Sequence, residues 1–257
     1  MTAEVVVHRT PDLLAATTAA RLLVHLVDAQ AARGTASFVA TGGGMGSAVL
    51  AAVAAAPAGD AVDWGRVDVW WGDERFLPEG DPERNVTQAR EALLDKLRPD
   101  PARVHPMAAA GGPRGDDLEA AAADYAAELA AAAGAGGGVP EFDVVLLGVG
   151  PDGHVASLFP GHPGSFERDR SVIGVHGSPK PPPLRISLTF PALNRAQEVW
   201  LLAAGEEKAP AVAMALSASG EVQVPAAGVH GTRRTIWLLD GAAASDLPPA
   251  ALRRAGP

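Results

Sequence analysis

Short apolar runs recur along the chain, and most are followed by longer stretches in which apolar residues return every three or four positions. Glu4–His8, Ser37–Thr41 and Val67–Trp71 have the length and the β-branched or aromatic content of strands, while the stretches after Pro11 and from Ser47 carry the helical period. The predicted order is β-α-β-α-β. Helical patterns follow at about Asn85–Leu97 and Asp116–Ala133, then the apolar run Phe142–Leu147. Further strands are predicted at Ser171–Val175, Leu184–Thr189, Glu198–Ala203 and Thr235–Leu239, with a helix over Glu206–Ser217.

Parallel strands need long crossovers, so this alternation predicts an α/β fold: a mostly parallel, twisted sheet with helices on both faces, Rossmann-like in plan. Ligands of such sheets gather at the carboxyl ends of the strands. Three segments stand there: 41-TGGGMGS-47, 72-GDER-75 and 148-GVGPDGH-154. The Gly- and Pro-rich stretches Ala109–Asp117 and Gly134–Pro140 read as surface loops, and Ser178–Pro183 (SPKPPP) as a stiff one. None is long enough to separate domains, so residues 1–257 are expected to form a single α/β domain.

Composition narrows the chemistry. With 47% apolar residues the chain has ample material for a core, and its formal net charge of −9 argues against a broad nucleic-acid surface. A small anion in a local cationic pocket is still allowed. The absence of cysteine removes disulfides, thiol nucleophiles and thiolate metal sites. No apolar run approaches the ~20 residues of a membrane span, and MTAEVVVHRTPD lacks a charged-then-apolar leader pattern. A cytoplasmic, soluble chain with no membrane partner is expected.

Each segment has two readings. Thr41–Ser47 between a strand and a helix is either a tight turn or a backbone cradle for phosphate; it lacks the Gly-Lys-Ser/Thr of a P-loop. Asp73, Glu74 and Arg75 are either a solvated loop or an active-site cluster. Gly148-x-Gly150-x-x-Gly153 has the spacing of a dinucleotide fingerprint, which requires a following helix and then a strand ending in an acid for the ribose. Pro160 and Pro163 interrupt any such helix, and His176-Gly177 stand where the acid belongs, so no nucleotide cofactor is expected. What remains is Asp152-Gly153-His154: a histidine suited to proton transfer near neutral pH, with an aspartate able to orient it. No histidine spacing resembles a metal site. Arg185 and Lys208 supply a guanidinium fork and a point charge, which together with the glycine loop would clamp a phosphorylated small molecule.

Four blocks, TGGGMGSAV, VWWGDERFLPEGDPERN, FDVVLLGVGPDGHVASLFPGH, and RISLTFPALNRAQEVWLL with AAGEEKAPAV, give the chain a specific resemblance to the 6-phosphogluconolactonase family of the oxidative pentose phosphate pathway. The resemblance implies a sheet of the kind shared with glucosamine-6-phosphate deaminases and ribose-5-phosphate isomerase, no cofactor or metal, and action on a phosphorylated sugar lactone; a monomer or small homo-oligomer is expected. It also implies roles. Gly42, Gly43, Arg185 and Lys208 would bind the phosphate, His154 would be the base supported by Asp152, and Asp73 and Arg75 would line the sugar end. Arg75 or a backbone N–H near Gly153 would face the oxyanion. Two rivals share these residues: a glucosamine-6-phosphate isomerase or deaminase, and a non-catalytic sugar-phosphate sensor. Against the first, Phe159 stands where the deaminase family has a glutamate; against the second, the Asp152/His154 pair is intact.

Overall fold

The computed structural model describes residues 3–217 and 219–248. Six strands form an all-parallel sheet: β1 (Glu4–His8), β2 (Ala36–Ala40), β3 (Val67–Trp71), β5 (Val144–Gly148), β8 (Glu198–Ala203) and β9 (Arg234–Asp240). Their spatial order is β1-β9-β8-β5-β2-β3. Every residue of β8 and all of β5 except Gly148 are buried. Successive side chains of a strand point to opposite faces, so both faces of the sheet are covered here, as the near-continuous apolar runs of the sequence predict.

Local chemistry sets the helix boundaries. Helix α1 (Pro11–Arg33) begins with Thr10 accepting from the Leu13 N–H and Pro11 in its first turn, and it stops at Gly34, left-handed at φ 79°. Helix α2 (Gly43–Ala55) differs: its N-cap is Gly42, with no side chain to satisfy the first N–H groups. The predicted helix at 85–97 forms, but its middle, Arg90–Leu94, is wound as a π-helix.

The structure departs from the single-sheet expectation at two predicted strands. Those near 171–175 and 184–189 form as β6 (Val172–Val175) and β7 (Arg185–Leu188), yet they leave the large sheet and pair antiparallel in a second, three-stranded one with β7 at its centre. The reason is connection length: residues 176–184 are too few for a parallel crossover but enough for an antiparallel return. The remaining strand, β4, is Asp73–Arg75, read from the sequence as a loop. Gly72 alone separates β3 from β4. Its N–H donates to Ala40 O in the large sheet, and its carbonyl accepts from Leu188 N in the small one.

Candidate active site

A cleft of about 390 Å³ opens at the carboxyl ends of β2, β5 and β8, with residues of β4 and β7 also lining it. Seven of the eight predicted site residues line it, Gly42, Gly43, Asp73, Arg75, His154, Arg185 and Lys208, and Asp152 bonds to His154.

At one end the glycine loop enters α2. Gly43 has φ 80°, a left-handed value that glycine adopts without strain, and a Cβ on Gly42 would overlap Asn85 Oδ1. Bare N–H groups and the positive end of a thirteen-residue helix therefore lie against the cleft, with no hydrogen bond from the N-cap side chain. Thr41 Oγ1 accepts from Gly148 N at 3.2 Å, tying this loop to the turn after β5. Lys208 reaches the cleft from the short turn after β8; burial lowers its ammonium from the usual lysine value, opposed by the Glu207 carboxylate.

The turn after β5 builds the other end. Gly150 N donates to His154 O and Gly153 N to Gly150 O, both at 2.9 Å, and Gly153 sits at φ 82°. No helix opens at Gly153: residues 149–162 run as turns and bends, which distinguishes this loop from a dinucleotide motif. His154 Nδ1 lies 2.5 Å from Asp152 Oδ1, so the aspartate fixes the proton on Nδ1, and Nε2 has no hydrogen-bond partner among the described residues. Burial pushes the Asp152 carboxyl up, but the hydrogen bond and charge of His154, together with Lys180, more than offset this and hold it well below the usual carboxylate range. The fully buried Phe159 ring packs 4.7 Å from the imidazole, with the Arg185 guanidinium over it at 5.6 Å.

The GDER segment divides its labour. Asp73 is buried, with Oδ2 accepting from Ser157 Oγ at 2.6 Å and Oδ1 from Asn85 Nδ2 at 3.2 Å. Glu74, completely buried, turns the opposite way and accepts from the N–H groups of Arg75, Asn85 and Val86. Arg75 lines the cleft, anchored through Nη1 to the Glu83 carbonyl, and its Nε is buried without a hydrogen-bond partner among the described residues. Arg185 donates to the carbonyls of Lys180, Pro181 and Pro182, leaving Nη1 at the cleft, 3.8 Å from Asp73 Oδ2.

Sequence reasoning assigned no role to Lys180, Asn85 or Ser157. The SPKPPP composition signalled stiffness, and nothing in the spacing tells that its lysine lies 3.2 Å from both Asp152 Oδ1 and His154 Nδ1.

Residues 9–237 match the family model described as glucosamine-6-phosphate isomerases/6-phosphogluconolactonase. The chain belongs to this family. Among curated relatives, the 6-phosphogluconolactonase of Streptomyces coelicolor is 67% identical over 249 residues, covering 96% of this chain and 95% of that one. That of Mycobacterium tuberculosis is 50% identical over 237 residues, covering 92% and 95%. The solved 6-phosphogluconolactonase of Trypanosoma brucei superposes with a TM-score of 0.82 at 28% identity, covering 96% of this chain and 99% of that one. The expected α/β architecture and the sequence resemblance both stand. Among the described residues no helix is long and apolar enough to cross a membrane.

Proposed function

We propose that this chain is an enzyme that hydrolyses 6-phospho-D-glucono-1,5-lactone to 6-phospho-D-gluconate, a step of the oxidative pentose phosphate pathway. One observation carries the reading. A histidine with a free Nε2, oriented by an aspartate, shares a cleft with an uncapped helix N-terminus and a half-buried lysine. The names of the relatives agree with it.

The phosphate sits against the Gly42–Gly43 N–H groups and Lys208, with the free side of Arg185 nearby, and anchors the sugar so that its ring carbonyl meets His154. Nε2 takes a proton from water as the water oxygen attacks C1. Arg75 faces the developing oxyanion, since the Gly153 N–H is already engaged within its turn. The C1–O5 bond then breaks, and the imidazolium returns the proton to the ring oxygen, giving the open acid. Deamination is disfavoured on this site, because the buried Phe159 ring offers no proton carrier for ring opening.

The test is disappearance of freshly generated 6-phosphogluconolactone above the spontaneous rate, with unphosphorylated gluconolactone as the control. His154→Ala is expected to lower kcat by on the order of 10² to 10⁴, and Lys208→Ala to raise KM for the phosphorylated lactone first. Background-level hydrolysis by the wild type would sink the reading, and an unchanged KM for Lys208→Ala would remove that residue from the phosphate pocket.

A further inference from the structure

Asp152 is the weak point of the site described so far. Its side chain is 34% exposed, and one hydrogen bond to an imidazole leaves a carboxylate free to swing about its terminal torsion. A second donor closes that freedom. Lys180 Nζ donates to the same oxygen, Oδ1, at 3.2 Å and stands 3.2 Å from His154 Nδ1, so ammonium and imidazole converge on one acceptor.

An exposed lysine ordinarily contributes little in such a pair, because ordering its long side chain costs as much as the contact returns. Lys180 differs in its backbone. Ser178 N donates to Pro183 O at 2.9 Å, closing the segment into a strap, and Ser178 Oγ donates to Lys180 O at 2.8 Å. Arg185, itself buried, donates from Nη2 to Lys180 O at 3.1 Å and Pro181 O at 3.0 Å, and from Nε to Pro182 O at 3.2 Å. Three consecutive prolines, Pro181–Pro183, stiffen what remains. The strap is therefore held at many points, and the ammonium is delivered to Asp152 from a fixed base.

We infer that Lys180, anchored by Arg185 through the 178–183 strap, is the positioning residue that locks Asp152 and His154 into the arrangement used for proton transfer; this rests on the lactonase reading above. Most of Arg185's donors then serve the strap, and the phosphate is left chiefly to the glycine loop and Lys208. The competing role is that Lys180 is itself a phosphate ligand, since Lys208 is near enough to feel its charge.

The chain contains no cysteine, so Lys180→Cys introduces a single thiol. Alkylation with 2-bromoethylamine restores an ammonium at nearly the length of lysine, and iodoacetamide gives a neutral control. Lys180→Cys is expected to lower kcat on the order of 10- to 100-fold, by the same factor for phosphorylated and unphosphorylated lactone, with KM for the phosphorylated one unchanged. The aminoethylated variant should regain kcat and the neutral one should not. The Nδ1–H proton resonance of His154 should broaden in Lys180→Cys and sharpen again with the ammonium. A rise in KM confined to the phosphorylated lactone, with kcat and the resonance unchanged, would overturn the inference, as would equal recovery with the neutral cap. The lactonase reading fails separately, if the wild type hydrolyses the phosphorylated lactone only at the background rate; the resonance needs no turnover and still reports on Lys180.

Discussion

Gly150 lacks a side chain because His154 occupies the space where one would sit: a methyl there would overlap the imidazole Nδ1 and crowd Asp152 Oδ1. Its φ is not left-handed, so alanine is acceptable to the backbone itself. Gly150→Ala is accordingly expected to displace the His154–Asp152 pair and cut kcat on the order of 10²-fold while leaving Tm nearly unchanged; matched kinetics and thermal melts check this, and a large Tm loss with normal kcat would refute it. Single residues were legible in the sequence where their type and neighbours restrict the chemistry, as with the glycines of the 41–47 loop and the Asp-Gly-His turn. Lys180, Asn85 and Ser157 were not, because each acts through a contact across the fold: 28 positions separate Lys180 from Asp152, and 84 separate Ser157 from Asp73. Glu74 shows the reverse case. Its charge beside Asp73 drew attention to the segment, yet its carboxylate points away from the chemistry to cap a helix.

At the level of elements, that cap explains why the helix at 85–97 starts where it does. Glu74 accepts from the two leading N–H groups, Asn85 and Val86, with the Arg84 guanidinium 3.6 Å away and equally buried. Burial pushes the Glu74 carboxyl up, against the pull of the N–H donors and Arg84. Glu74→Ala leaves these donors without their acceptor and a buried guanidinium without its counter-charge and is expected to cost on the order of 3–5 kcal/mol, read from urea denaturation; a loss below about 1 kcal/mol would mean the network is replaceable by water. Because Asn85 also holds Asp73, the variant should lose activity along with stability. Strands and helices were readable from periodicity to within a few residues: the strand predicted from Phe142 begins at Val144, and the helix predicted from about Asp116 begins at Leu118. Periodicity carries no record of pairing partners, so the second sheet was invisible although its two longer strands were each foreseen. The short return between them was the available clue.

Across the whole molecule, one tie far from the cleft sets a pH dependence of stability. His105 stacks on Trp70 at 3.7 Å and meets Glu128 at 2.7 Å and Asp68 at 3.3 Å, joining β3 to the helix Leu118–Ala133. Burial opposes its charge, but the hydrogen bonds and charges of Asp68 and Glu128 prevail and push its pKa up to about 9. The protonated form is the one the fold holds, so its contribution is complete below the free imidazole's value of about 6.5 and is lost as pH rises through about 9. The stability gap between wild type and His105→Gln should shrink over that interval in denaturation series; a gap constant with pH would refute the assignment. None of these groups lines the cleft, so kinetics should not follow the same curve. At this scale, too, the passage of the chain through Gly72 acquires a meaning beyond topology. The turns of the parallel sheet carry the glycine loop, His154 and Lys208, while Arg75, Arg185 and the strap arrive on the small antiparallel sheet, whose strand β4 follows β3 after the single residue Gly72. On the proposed function, such a division would let evolution exchange the toolhead while keeping the handle: one scaffold would grip the substrate's phosphate, and revising the appended sheet and turn would retask it from one reaction to another.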